Sequence, residues 1–260
     1  MKGIIVQSFG STYREAYKKS VGSVFEKVKA DFPDYYVLES YSSEIVRKRI
    51  EARDGDHYYN IGEALKVMED KGIKDIFVLS LYVIEGHEYN KVIKMAEDYN
   101  NDGRLNIKFS KGLFSDDADI EKVGEFFSHL KDKSAAEALV FMGHGSFHDE
   151  DEKYGKLQAY LDQRGVKVFI GTVEGSIVLE DIMARLEKEN IKSVEVYPLM
   201  LVAGDHVQND MAGDEEDSWK SVLRKAGFDV GVSVKGLCEY DEFNDLFIGK
   251  LREILWRLSK

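Results

Sequence analysis

One cysteine, Cys238, and two prolines are all that 260 residues contain of either type. A lone thiol cannot form an internal disulfide, which excludes a disulfide-stapled secreted scaffold. With so little proline and no Ser/Gly-rich stretch, no segment reads as a flexible tether. Long apolar runs are missing too: none approaches the ~20 residues that span a bilayer, and the opening MKGIIVQSFG lacks the apolar core of a signal peptide. No membrane partner and a reduced, cytoplasmic setting are therefore expected. Positive charge is also short, with 36 Lys and Arg against 48 Asp and Glu and a net charge of −12. Nucleic acid and anionic lipid both call for a basic patch, so neither is expected as a partner. Neither GxxxxGK[ST] nor GxGxxG occurs, which leaves nucleotide binding with little support.

What the chain does have is an internal repeat. Ile73-Lys-Asp-Ile-Phe-Val-Leu-Ser-Leu-Tyr-Val-Ile-Glu-Gly86-His-Glu88 aligns at a constant offset with Ile191-Lys-Ser-Val-Glu-Val-Tyr-Pro-Leu-Met-Leu-Val-Ala-Gly204-Asp-His206, which sets Glu88 opposite His206. Two shorter anchors keep the same order. Ser8-Phe-Gly10-Ser11 matches Gly143-His-Gly145-Ser146, and Lys111-Gly-Leu113 matches Lys235-Gly-Leu237.

Short apolar runs alternate with stretches of helical period, the pattern of parallel strands joined by crossover helices. The runs fall at Gly3 to Ser8, Tyr35 to Ser40, Asp75 to Val83 and Leu105 to Ser110, then at Ala138 to Met142, Val166 to Gly171, Ser193 to Leu201 and Val230 to Val234. The expected fold is α/β: two related domains, each a four-stranded parallel sheet flanked by helices, with a cleft between them. The expected division is 1–125, 126–240, and a C-terminal helix at 241–260 packing across the domains. That helix should present Phe243, Phe247, Leu251, Ile254, Leu255 and Leu258 on one face. A connecting helix over Asp116 to Lys133 should use Ile120, Val123, Phe126, Phe127 and Leu130.

Candidate chemistry gathers at strand ends, where open α/β sheets place ligands. His144 follows the strand Ala138 to Met142 between two glycines that permit close backbone approach; the alternative is a turn histidine bonded locally. Glu174 follows Val166 to Gly171, and the alternative is a carboxylate that complements a helix dipole. His206 follows the third strand. Two imidazoles and a carboxylate suit a divalent Co, Ni, Fe or Zn ion, and three protein ligands leave coordination positions open. Glu88, at the matching end in the first half, reads equally as a second metal position, a proton acceptor facing His206 across the cleft, or a helix N-terminal charge. His87 beside it reads as a supporting or surface residue.

Ser8-Phe9-Gly-Ser11-Thr12-Tyr13-Arg14 is a glycine and hydroxyl loop entering a helix, suited to an anion, and Phe9 and Tyr13 offer aromatic faces. The acidic runs Asp149 to Glu152 and Asp214 to Asp217 read as solvated helix starts. His57, His129 and His148 read as surface residues, and Cys238 as a small buried one.

On these segments the chain resembles the anaerobic-type cobalt chelatases, sirohydrochlorin cobaltochelatases of the class II chelatase superfamily. The resemblance runs over essentially the whole chain, through Ser8 to Thr12, Gly86-His-Glu88-Tyr89, Met142-Gly-His144-Gly145, Gly171-Thr-Val-Glu174-Gly175 and Pro198 to His206. It implies that His144, Glu174 and His206 bind the metal, that Glu88 is a further acidic residue of the active site, and that His144 or Glu88 accepts protons. It implies Co²⁺ as the bound substrate metal, sirohydrochlorin or its precorrin-2 form as the ring, release of two protons, a place in anaerobic cobalamin biosynthesis, and no organic cofactor. Ser8, Phe9, Ser11, Thr12, Tyr13 and Arg14 are the candidates for binding the ring and its carboxylates. Three matters stay open at this point: another metal such as Fe²⁺ or Ni²⁺ or another tetrapyrrole, a carrier without turnover, and homo-oligomer formation.

Overall fold

In the computed structural model, which describes residues 2–145 and 152–256, the apolar runs become two four-stranded parallel sheets. Their strand orders are β2-β1-β3-β4 and β6-β5-β7-β8. The first sheet is built from β1 (Lys2–Ser8), β2 (Tyr35–Tyr41), β3 (Asp75–Ser80) and β4 (Asn106–Phe109), and the second from β5 (Ala138–Gly143), β6 (Val168–Thr172), β7 (Ser193–Leu199) and β8 (Asp229–Val232). Crossover helices join them: α1 (Arg14–Lys19), α2 (Val21–Asp31), α3 (Glu44–Asp54), α4 (Ile61–Asp70) and α5 (His87–Tyr99) in the first set, α7 (Glu152–Gln163), α8 (Leu179–Lys188) and α9 (Trp219–Lys225) in the second. Helices on both faces explain why central strands read as unbroken apolar runs rather than alternating ones; every residue of β5 is buried.

Local signals set the helix starts. Asn60 and Glu63 form a reciprocal capping box at α4, and Asp116 accepts from the Asp119 amide at the start of α6 (Asp117–Lys133). Both place a short acceptor side chain over free amides.

The third strand of each sheet stops sooner than its apolar run. The run of β3 extends to Val83 and that of β7 to Leu201, but the ladder ends at Ser80 and Leu199. Beyond these points the backbone is held by the repeated Lys-Gly-Leu segments: the Leu113 amide donates to the Tyr82 carbonyl and the Leu237 amide to the Met200 carbonyl, each at 2.8 Å. Both leucines are buried, which gives the third anchor of the repeat a structural reason.

The chain divides into Met1–Leu113 with Cys238–Lys260, and Phe114–Leu237. This differs from the expected borders at 125/126 and 240/241. Helix α6 belongs to the second unit from its start, because Phe127 stacks on Phe141 of β5 at 3.8 Å and Phe114 meets the Tyr154 ring edge-on at 6.0 Å. Helix α10 (Asp241–Trp256) belongs to the first unit, where it packs against β3. Its Phe243, Phe247 and Leu251 are buried as the periodicity predicts; Leu258 lies outside the described residues. No helix among the described residues is long and apolar enough to cross a membrane.

In each sheet the strand order reverses direction beside its first strand, so the crevice forms at the carboxyl ends of β1 and β3 in one unit and of β5 and β7 in the other. Those are the ends at which ligands bind in open α/β sheets.

Candidate metal centre

His144 follows β5 directly, and Gly145 shows why it is framed by glycine. Gly145 has φ +81°, and a Cβ there would lie 2.5 Å from the Gly175 nitrogen and 2.8 Å from Thr172 Cβ. The loops after β5 and β6 are thus pressed together as no side chain at 145 would permit. Two backbone bonds fasten them: the Val173 amide donates to the Gly143 carbonyl at 3.0 Å and the Glu174 amide to the His144 carbonyl at 2.8 Å. Glu174 is therefore held beside His144, with Oε2 3.9 Å from Nδ1. It does not serve a helix start. Helix α8 begins at Leu179 and takes its first-turn acids from Glu180 and Asp181.

His206 arrives from β7 by a different route. After Leu199 the chain turns through Gly204 and enters a helical turn that widens into a π-helical segment, Val207–Met211. Val207 and Met211 are fully buried and anchor it. Wide turns of this kind often mark functional sites. The His206 ring lies 4.7 Å from that of His144, centroid to centroid, at an interplanar angle of 89°.

Both imidazoles have one nitrogen engaged. His206 Nδ1 lies 2.6 Å from the Asp210 carboxylate, and His144 Nδ1 lies 3.1 Å from the Gly145 carbonyl oxygen. Carboxylate and carbonyl accept only, so Nδ1 carries a proton in each ring, and in the neutral imidazole Nε2 is then the nitrogen with the lone pair. A metal-ligating histidine is typically oriented by such an acceptor. Exposures of 48% for His144, 51% for Glu174 and 37% for His206 leave all three side chains reachable by a ligand. Among the described residues no group of three or more His, Cys, Asp or Glu side chains is placed so that it could hold a metal ion as it stands. His144 is near both partners in an open arrangement, unlike the closed tetrahedral cage of a structural site.

Asp210 is absent from the sequence candidates, although it carries a signal: four residues after His206, it shares a helical face with that ring. The neighbouring run Asp214 to Asp217 masks it, since a cluster of four acids outweighs a single one in any pattern. That run is exposed and contributes the Asp214–Lys220 ion pair at 2.7 Å. Ser146, His148 and residues 149–151 of the other acidic run lie outside the described residues.

The remaining candidates lie in the first unit. Glu88 sits in the first turn of α5; Oε1 pairs with Lys91 at 3.3 Å, while Oε2 is buried and has no hydrogen-bond partner among the described residues. His87, His57 and His129 are exposed. In the Ser8–Arg14 segment, the buried Ser8 Oγ has no partner among the described residues, Phe9 is 48% exposed and Arg14 is exposed. The Ser11 hydroxyl accepts from the Tyr13 amide at 3.2 Å, and Arg53 donates to the Thr12 carbonyl at 2.7 Å. Cys238 is fully buried, and burial pushes its thiol well above the usual range.

Comparison with known proteins bears on this arrangement. The family model described as cobalt chelatase (CbiK) matches residues 2–255. A sirohydrochlorin cobaltochelatase of Salmonella typhimurium is 28% identical over 257 residues, covering 98% of this chain and 96% of that protein. A sirohydrochlorin cobaltochelatase CbiKC of Nitratidesulfovibrio vulgaris is 31% identical over 255 residues, covering 96% and 89%. Among solved structures, the sirohydrochlorin chelatase SirB of Bacillus subtilis subspecies spizizenii in complex with cobalt shares the fold, with a TM-score of 0.64 at 16% identity over 97% of this chain and 95% of that one.

Proposed function

The chain belongs to the cobalt chelatase (CbiK) family, and on that premise we propose that it is a sirohydrochlorin cobaltochelatase, an enzyme that inserts Co²⁺ into sirohydrochlorin in anaerobic cobalamin biosynthesis. The observation that carries the site assignment is the 4.7 Å approach of the His144 and His206 rings, with Glu174 beside the first.

Co²⁺ is a substrate here, so the site must strip water from the ion, present it and let it go. Imidazole nitrogens and a carboxylate are borderline donors that suit divalent cobalt. An open set of half-exposed side chains favours transfer over retention. Insertion breaks two pyrrole N–H bonds, and as the ring nitrogens take the ion both protons need acceptors. His144 Nε2 regains its lone pair when the ion leaves, and can take one. The other falls to Glu88, whose Oε2 has unused acceptor capacity. No nucleotide or organic cofactor enters this balance.

In this reading the anionic rim of the ring is met by the Ser8, Ser11 and Thr12 hydroxyls and by Arg14, with Phe9 and Tyr13 against its apolar face. Arg14→Ala should then raise KM more than it lowers kcat.

The test is anaerobic absorbance of sirohydrochlorin with Co²⁺ and trace protein, corrected for spontaneous insertion. Many turnovers by the natural chain, lost in His144→Ala and His206→Ala, are expected. A stoichiometric spectral change without turnover would identify a carrier instead. Fe²⁺ and Ni²⁺ belong in the same assay, since affinity at such sites follows the Irving–Williams order and does not itself choose cobalt.

A further inference from the structure

Helix α1, which follows the Ser8–Arg14 segment, has six residues, buries none of them and lacks a side-chain cap at Tyr13. A helix that short does not persist unaided in water, so contacts from outside must hold it. Tyr17 supplies them. Its hydroxyl donates to the Glu39 carboxylate on β2. Its ring lies edge-on to Tyr41 and Tyr58, with centroids 6.0 and 6.5 Å away, and those two rings stack on each other at 4.4 Å.

The same cluster supports the segment before the helix. Gly10 has φ +92°, and a Cβ on it would come within 2.6 Å of the Tyr41 ring. Backbone at 10 and side chain at 17 thus rest on one buried tyrosine. Packing alone would be served by an apolar residue at 39, yet a carboxyl stands there with no cation paired to it among the described residues.

We infer that Tyr17 and Glu39 are positioning residues for substrate binding: their hydrogen bond fastens α1 to β2 and so fixes the Ser8–Arg14 segment in the shape that receives the carboxylates of the ring. This rests on the role given to that segment under the proposed function. Glu39 touches no reacting atom and acts through Tyr17 alone.

The surroundings make the fastening sensitive to charge. Facing Glu39 are Tyr17 from α1, Tyr41 from its own strand, Tyr58 from the connection before α4, and Glu26 and Lys29 from α2, the last two paired with each other at 3.1 Å. Burial, against the opposing pull of the Tyr17 hydroxyl, raises the Glu39 carboxyl to about 7. Glu39 is half-buried; above that pH a poorly solvated charge sits under α1, and lifting of the helix would hydrate it.

The experiment is steady-state Co²⁺ insertion into sirohydrochlorin by the full chain from pH 6 to 8.5, with Glu39→Gln, Tyr17→Phe and Arg14→Ala, and circular dichroism to verify folding. Glu39→Gln keeps an acceptor for Tyr17 without the charge. At pH 6 it should match the natural chain; by pH 8.5 the natural chain's KM should exceed that of Glu39→Gln at least threefold, with kcat equal within twofold. Tyr17→Phe should raise KM across the whole range. Superimposable KM profiles for the natural chain and Glu39→Gln, or a change confined to kcat, would overturn the inference. The Arg14→Ala arm separates the two levels: if its KM rises while Glu39→Gln and Tyr17→Phe change nothing, the segment binds substrate and this inference alone fails. If Arg14→Ala leaves KM unchanged, the segment's own role fails first.

Discussion

The two units share a backbone plan down to single hydrogen bonds and differ in what their strand ends carry. The Ser43 amide donates to the Phe9 carbonyl in the first unit as the Glu174 amide donates to the His144 carbonyl in the second. Gly10 at φ +92° repeats Gly145 at φ +81°. By this correspondence and the aligned repeat, His144, Glu174 and His206 stand where the first unit has Phe9, Ser43 and Glu88. The layer beneath differs as well. In the first sheet Gln7 lies in register with Ser40 and Ser80, and all three carry buried oxygens without partners among the described residues. In the second, Met142 lies in register with Gly171 and Pro198, which bring no polar side-chain atom. The strand ends that carry His144, Glu174 and His206 therefore rest on an apolar floor and their counterparts on a polar one. The scaffold is neutral to function, and the chemistry lies in a few side chains placed upon it.

The sharpest way to break this comparison is to truncate matching residues. His144→Ala and His206→Ala should each lower kcat by at least about 100-fold, at or beyond the upper end of the 10–100-fold loss usual for residues that only orient a ligand. Phe9→Ala, at the position equivalent to His144, should cost less than about tenfold, and chiefly in KM if it contacts the ring face. Equal losses at Phe9 and His144, measured by anaerobic insertion kinetics, would erase the distinction between the units.

Glu88 tests the comparison from the other side, because it occupies His206's equivalent place without being assigned to the metal. Glu88→Gln should lower kcat by about 100-fold, the low end of what general acid–base catalysis contributes, and leave Co²⁺ affinity measured by titration calorimetry unchanged. A parallel fall in affinity would make Glu88 a ligand and both strand ends metal-binding. A smaller effect is expected at Asp210, which only orients His206. Asp210→Asn should weaken Co²⁺ binding by about tenfold with little change in KM for the ring.

How far the sequence discloses all this depends on the kind of interaction involved. The eight strands and their two sets are legible because parallel strands covered on both faces leave dense apolar runs, and because the repeat gives each half a check on the other. His144, Glu174 and His206 are legible for the same reason: each stands next to such a run. The unit borders are not, since Phe114 and α6 join the second unit through ring contacts with Tyr154 and Phe141, and distant packing partners leave no periodic mark. The Tyr17–Glu39 pair shares that difficulty, whereas Asp210 is local to His206 and is hidden by the acidic run that follows it. The pair depends on a contact from helix to strand, which has no motif.

The last test concerns stability and bears on the first unit, where the half-buried Glu39 carboxyl is raised. Its folded-state value of about 7 lies above the ~4.3 of an unfolded glutamate. A group raised in the folded state lends stability that is fully present below its unfolded value and is lost as pH rises through the folded one. The natural chain should accordingly be less stable at pH 8 than at pH 5 by on the order of 1–3 kcal/mol from this residue, since a tenfold change in proton affinity between the two states is worth about 1.4 kcal/mol. Glu39→Gln cannot ionise and should show that much less dependence. Urea unfolding of both chains at the two pH values reads the difference directly. An identical pH dependence in the two would mean that water already reaches Glu39 in the native state, and that the floor of α1 is as wet as its outer face.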